Sequence, residues 1–160
     1  MSTKAVRKQT LTPSQVFELI TEKDSLENKA ERRLILRNSI IDGDLALDNL
    51  TIKSSLDFEG CEFRGSFKIY RTKFEGHFIS FDKVIITGDL VATSLEGGNG
   101  YSLYLRKARI REVFLVGAKN INVLCIGGLR SSEGSDFFPH IRINGAAIDR
   151  ISLDPTVIDD

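Results

Sequence analysis

Residues 34–74 read LILRNSIIDGDLALDNLTIKSSLDFEGCEFRGSFKIYRTKF, and this stretch decides the fold. Bulky apolar residues fall at Leu36, Ile41, Leu47, Ile52, Phe58, Phe63, Ile69 and Phe74, in steps that alternate five and six. Two places before each stands a second apolar or small residue: Leu34, Ser39, Leu45, Leu50, Leu56, Cys61, Phe67 and Thr72. Each unit therefore predicts a short in-out-in strand followed by a corner, which is the signature of a solenoid. The combined period is 11 residues, as IDGDLALDNLT, IKSSLDFEGCE, FRGSFKIYRTK and FEGHFISFDKV, with Gly43, Ser54, Gly65 and Gly76 in step two places after the bulky residue. A glycine or serine there predicts a corner that a larger side chain would resist. An antiparallel meander would also alternate inward and outward residues, but it has no need of an unbroken 11-residue register.

The pattern resembles that of pentapeptide-repeat proteins, whose units place a small residue two before a central Leu or Phe. Cys61 with Phe63, Thr72 with Phe74, Ala108 with Ile110 and Ala146 with Ile148 carry the resemblance. It implies a right-handed, four-sided parallel β-helix with four units to a coil. Two units take 11 residues here instead of ten, so a coil would use about 22. The expected fold is thus all-β, a right-handed quadrilateral β-helix of about five coils, or about 25 Å at the ~4.8 Å strand spacing. Its interior would be a filled column of Leu, Ile, Phe and Val without room for a cofactor.

Working outward, Thr12-Pro13-Ser14 signals a helix start, and Val16, Phe17 and Ile20 give it one apolar side. Residues 12–33 are expected to cap the exposed end of the coil, and residues 1–11 to be loosely held. The β-helix is expected over residues 34–154. The pattern slips by one residue after Phe78, which predicts a bulge near Ser80 to Lys83. The glycine-rich runs at 94–102 and 127–140 predict loops that leave the coil and return. Ile141, Ile143, Ala146, Ile148, Ile151 and Leu153 would form the last coil, and residues 155–160 a polar tail.

Chemistry is sparse. Lysine plus arginine equals aspartate plus glutamate, 22 each, so no global field draws the chain to nucleic acid or an anionic membrane. No apolar run suits a membrane span, and Cys61 and Cys125 lack a CxxC partner, so buried, reduced thiols in the cytoplasm are expected. His77 and His140 have no partner at a metal-ligand spacing, no nucleophile or phosphate-loop motif occurs, and neither metal nor cofactor is expected. The ladder carboxylates Asp42, Asp44, Asp48, Asp57, Glu59 and Glu62 are expected as solvated decoration of exposed strands.

Two features point to a partner surface. Arg106, Lys107, Arg109 and Arg111 flank the inward pair Ala108 and Ile110 and would form a basic ridge. Phe137 and Phe138 sit in the polar loop SSEGSDFFPH, either folded back on the coil, which is favoured, or exposed as an anchor. The expected function is a non-enzymatic scaffold that docks a protein partner through its flat faces and loops, with end-to-end pairing of two copies through the uncovered last coil as an option. The family resemblance implies a further reading, a DNA mimic that binds type II topoisomerases. Residues 34–101 carry ten acids and seven bases, a weak excess for such a mimic. A transferase or hydrolase on a solenoid is the third reading, although the hexapeptide-repeat acyltransferases run on six and eighteen.

Overall fold

The 22-residue spacing of the buried pairs becomes physical register. Leu34 lies beside Leu56, Ile41 beside Phe63, Leu45 beside Phe67 and Ile52 beside Phe74, all in parallel strands. The computed structural model describes residues 9–133 and 138–156 and shows a parallel β-solenoid of about five turns. Four faces run along it. The first carries Arg33–Ile35, Ser55–Asp57 and Phe78–Ser80, the second Ile40–Asp42, Glu62–Arg64, Ile85–Ile86 and Arg109–Ile110. The third carries Leu45–Ala46, Phe67–Lys68, Leu90–Val91, Glu112–Phe114 and His140–Arg142, and the fourth begins with Thr51–Ile52 and Lys73–Phe74. In the upper turns the fourth and first faces fuse, because Glu96–Tyr104 and Lys119–Cys125 run straight through the corner.

The inward assignment holds for nearly every ladder residue: all sixteen quoted above are buried except Leu50, which is half-buried. At the centre Phe58, Phe63, Phe67 and Phe81 pack edge-to-face and stacked, with ring centroids 4.9 to 6.2 Å apart. Burying one such ring stabilises the fold by roughly 1.5–3 kcal/mol. Cys61 and Thr72 occupy small inward positions, where their side chains donate to the carbonyls of Leu36 and Leu47 in the turn below.

The corners follow two different rules. Gly65 and Gly88 lie on one stack, where a Cβ on Gly88 would sit 2.8 Å from the Gly65 carbonyl oxygen, so closeness between turns excludes a side chain. Gly76 follows the same rule at the corner between the fourth and first faces, where a Cβ would sit 2.6 Å from the Ser54 carbonyl oxygen, whereas the other two corners are built from left-handed residues. Asn38, Gly60, Lys83, Lys107 and Gly128, with φ from 53° to 73°, form one column; Asn49, Arg71, Ser94, Gly117 and Gly145, with φ from 49° to 69°, form another. In the first column the N–H groups of Asn38, Gly60, Lys83 and Lys107 donate to carbonyls of the next turn at 2.9 to 3.3 Å. Left-handed backbone costs a non-glycine residue about 1–2 kcal/mol, which the stacking hydrogen bonds and the buried column must offset.

The helical cap is real but shorter than residues 12–33. Helix α1 spans Pro13–Asp24, with Thr12 and Gln15 forming a reciprocal capping box, and a separate 3-10 turn follows at Lys29–Glu31. Val16 and Ile20 are buried against the first turn, whereas Phe17 points outward and is 41% exposed, since one step from Val16 carries it off the packed stripe. The Asp24 carboxylate pins the helix end by accepting the N–H groups of Lys53 and Ser54 at 3.1 and 2.8 Å. Thr10–Leu11, expected to be loose, forms a short strand beside Ile40–Ile41.

Three register expectations change. The extra residue enters between Phe74 and Ile79, not at 80–83: Ile52 to Phe74 is a step of 22, but Leu56 to Ile79 is already 23. The expected loop at 94–102 lies largely within the strand Glu96–Tyr104, which absorbs its glycines as two register shifts around Tyr101. In the expected excursion at 127–140, Leu129 is fully buried and Arg130 still bridges Arg109, so the ladder persists to that point.

Candidate functional site

A solenoid buries each turn only against its neighbours, so its two ends need separate treatment. At the beginning α1 covers the first turn with Val16 and Ile20. At the far end the sequence places the same inward pattern on the strands His140–Arg142 and Ile148–Ser152, but no described residue forms a further turn over them. The result is an apolar cross-section open to solvent. Ile143, Ile151 and Leu153 are 43%, 47% and 71% exposed, beside the half-buried Ile141, Ala146 and Ile148. These residues were expected as core, and their pattern fits core; what the pattern cannot state is whether another layer follows.

The outer edges of the same strands have no β partner among the described residues, and they leave backbone donors and acceptors available for strand pairing. Exposed Arg142, Asp149, Arg150 and Asp154 put both signs of charge around this end. Asp154 receives the N–H of Thr156 at 2.9 Å, and hydrogen bonding to Thr156 holds its carboxyl below the usual range.

The basic ridge separates into parts with different duties. Arg106 is committed inward: its guanidinium grips the nearly buried Asp82 through Nη2 at 2.7 Å and Nε at 3.2 Å, donates to the Thr156 carbonyl at 2.8 Å, and stacks over Tyr104. Arg111 forks onto Asp89 at 2.9 and 3.0 Å. Lys107 occupies a left-handed corner, and Lys107 and Arg109 present exposed side chains. Of the aromatic pair, Phe137 lies outside the described residues; Phe138 is 46% exposed and so is not folded back into the core.

The ladder acids are also less decorative than expected. Asp44 and Asp48 accept the N–H groups of Ser66 and Tyr70 one turn on, at 2.7 and 3.0 Å. Asp57, only 4% exposed, binds both Arg33 and Arg37. These carboxylates complete corners whose amides would otherwise lack acceptors.

No cluster of three or more metal-ligating side chains occurs among the described residues, and no helix there is long and apolar enough to cross a membrane. Burial pushes the Cys61 thiol up to about 11, which leaves it protonated and unreactive near neutrality. The sign of this shift yields a test. A raised thiol pKa favours the folded state fully below the unfolded value of 9.0, and that contribution is lost as pH rises towards about 11. Denaturant unfolding of wild type and Cys61→Ala at pH about 7.5 and about 10.5 should show wild type losing about 2 kcal/mol more than the variant; parallel losses would refute the assignment.

Comparison with known protein families, curated proteins and solved structures finds no match to this chain, so its function rests on the geometry of the open coil and the groups around it.

Proposed function

We propose that the chain is a non-enzymatic docking module that works through end-on pairing of its last coil, and that the partner this coil fits is a second copy of the same chain. The observation that carries the reading is the exposed apolar cross-section of Ile143, Ile151 and Leu153, in or just beyond strands whose outer edges have no β partner among the described residues. Two such ends related by a two-fold axis are self-complementary, burying apolar surface and meeting mixed charges with mixed charges. Stacking end to beginning is not on offer, because α1 occupies the opposite end. Assembly therefore closes at two chains. Catalysis draws little support from the side chains: the thiols are buried and many of the acids are engaged in corners and ion pairs.

The four-sided turns and the pairs Cys61 with Phe63, Thr72 with Phe74, Ala108 with Ile110 and Ala146 with Ile148 support kinship with pentapeptide-repeat proteins, with coils of 22 to 24 residues in the first turns as the departure. A DNA mimic needs rows of carboxylates turned to solvent; here Asp44, Asp48, Asp57, Asp82 and Asp89 bind protein groups instead. The unpaired, buried thiols suit a reducing compartment such as the cytoplasm.

Light scattering on the purified chain tests the pairing. A mass twice the 17.8 kDa of one chain is expected. The double substitution Ile151→Lys with Leu153→Asp should return the single-chain mass with an unchanged far-ultraviolet spectrum. A wild type that stays at the single-chain mass up to about 0.5 mM would overturn the reading.

A further inference from the structure

The corner between the fourth and first faces widens over the first three turns. Four residues carry the chain from Ile52 to Leu56, five from Phe74 to Ile79, and six from Gly97 to Leu103, although these residues stand in register above one another. Added backbone at one corner breaks the flush stacking of the solenoid. A cleft of about 430 Å³ opens there.

Its charge is lopsided. Lys29 and Arg32 reach it from the 3-10 turn and the residue that follows, Lys53 and Lys73 from the fourth-face edges of the first two turns, and His77 from the widened corner. The single carboxylate in the lining, Glu75, stands 3.7 Å from Lys73, so four fixed cations face one acid on a chain of zero formal charge. Asp24 lies outside the lining, its oxygens held by the Lys53 and Ser54 amides and the Ser54 hydroxyl, and its charge offsets part of that excess without removing it. Nε of Arg32 donates to the Leu26 carbonyl at 2.7 Å, which fixes the plane of its guanidinium. Converging like charges repel, and a phosphate group relieves that repulsion while accepting several charge-assisted hydrogen bonds.

A second cleft of about 260 Å³ continues along the same corner, sharing Gly98 and Asn99 with the first and adding Asn120, Asn122 and Asp149. Asn120 is occupied by the Gly97 carbonyl at 2.7 Å, but Asn99 and Asn122 are exposed amides able both to donate and to accept. Cations followed by amides match a phosphate followed by hydroxyls, in a space at the lower end of the roughly 300–1,000 Å³ of small-molecule sites. The geometry points to a binding site at this corner for a phosphorylated, hydroxyl-bearing small molecule of the sugar-phosphate class. The phosphate-binding part of the site does not depend on end-on pairing, because its cations come from the cap and the first turns, whereas only Asp149 of the second cleft lies on the last strand.

Titration of the isotope-labelled full chain by amide NMR tests it, with ribose 5-phosphate, inorganic phosphate and ribose as the three probes. Ribose 5-phosphate is expected to shift the amides of Lys53, Gly76 and Gly98, and to bind at least about tenfold more tightly than either other probe. Lys53→Glu with Lys73→Glu should weaken it by about tenfold or more, whereas Lys107→Glu, at a different corner, should leave it unchanged. No shift up to about 10 mM ribose 5-phosphate, or equal shifts around Lys107 and Arg109, would overturn the site. Equal binding of ribose 5-phosphate and inorganic phosphate would overturn the sugar-phosphate class.

Discussion

Phe63→Asp is expected to leave the protein unfolded at room temperature, whereas Lys68→Asp, five residues along the same turn, is expected to melt almost where wild type does. Phe63 is fully buried, with its ring 5.4 Å from those of both Phe58 and Phe67. Truncating such a ring costs about 3–5 kcal/mol, and an unpaired carboxylate in the same closed column adds several more. A domain stable by about 5–15 kcal/mol does not survive that sum. Lys68 lies outward on its strand between Ala46 and Val91, with no charge on either side, so its reversal should fall within about 0.5 kcal/mol. Circular dichroism with a thermal scan of both variants decides the matter, and equal shifts would sink the inward and outward assignment.

The second large effect is expected at Asp82. Its carboxylate accepts Nη2 and Nε of Arg106 and also the Arg106 backbone N–H at 2.8 Å, while the two side chains are 4% and 16% exposed. Asp82→Ala strands a guanidinium and an amide together and should cost about 3–5 kcal/mol in urea unfolding. Arg106→Ala should cost a similar amount by leaving the carboxylate alone. The double variant should cost clearly less than the two losses added, because the second change removes a charge already orphaned. The exposed pair of Lys73 with Glu75 sets the contrast, with about 0–1 kcal/mol expected there. Single losses below about 1 kcal/mol at Asp82 would mean that this pair, too, behaves as a surface contact.

What the chain reveals before folding is its transverse repeat. Inward residues such as Ile41, Phe63 and Ile86 announce themselves because every turn must fill the same column, and the cap at Thr12-Pro13 carries local chemistry of its own. The corner columns are different. Asn38, Gly60 and Lys83 share a left-handed backbone but no side-chain type, since what the stack requires of this position is its backbone N–H. Arg106 reads as a surface cation until Asp82, 24 residues earlier, is placed beneath it. The basic cleft is harder still to see, because Lys29, Lys53 and Lys73 belong to three separate segments. Stacking the sequence in rows of 22 brings Thr51 and Lys73 together and sets Lys53 two places further along, which was the available signal. The openness of the last turn has no signature at all, for a terminal layer and an interior one are spelled alike.

The one-sided closure also gives the molecule a direction. Each storey rests on the storey made before it, and α1 lies under the lowest, so a chain extended from its beginning has a finished floor beneath and a bare rim above at every stage. Trimming from the far end lowers the tower and moves the rim down by one level, while trimming from the near end takes out the foundation.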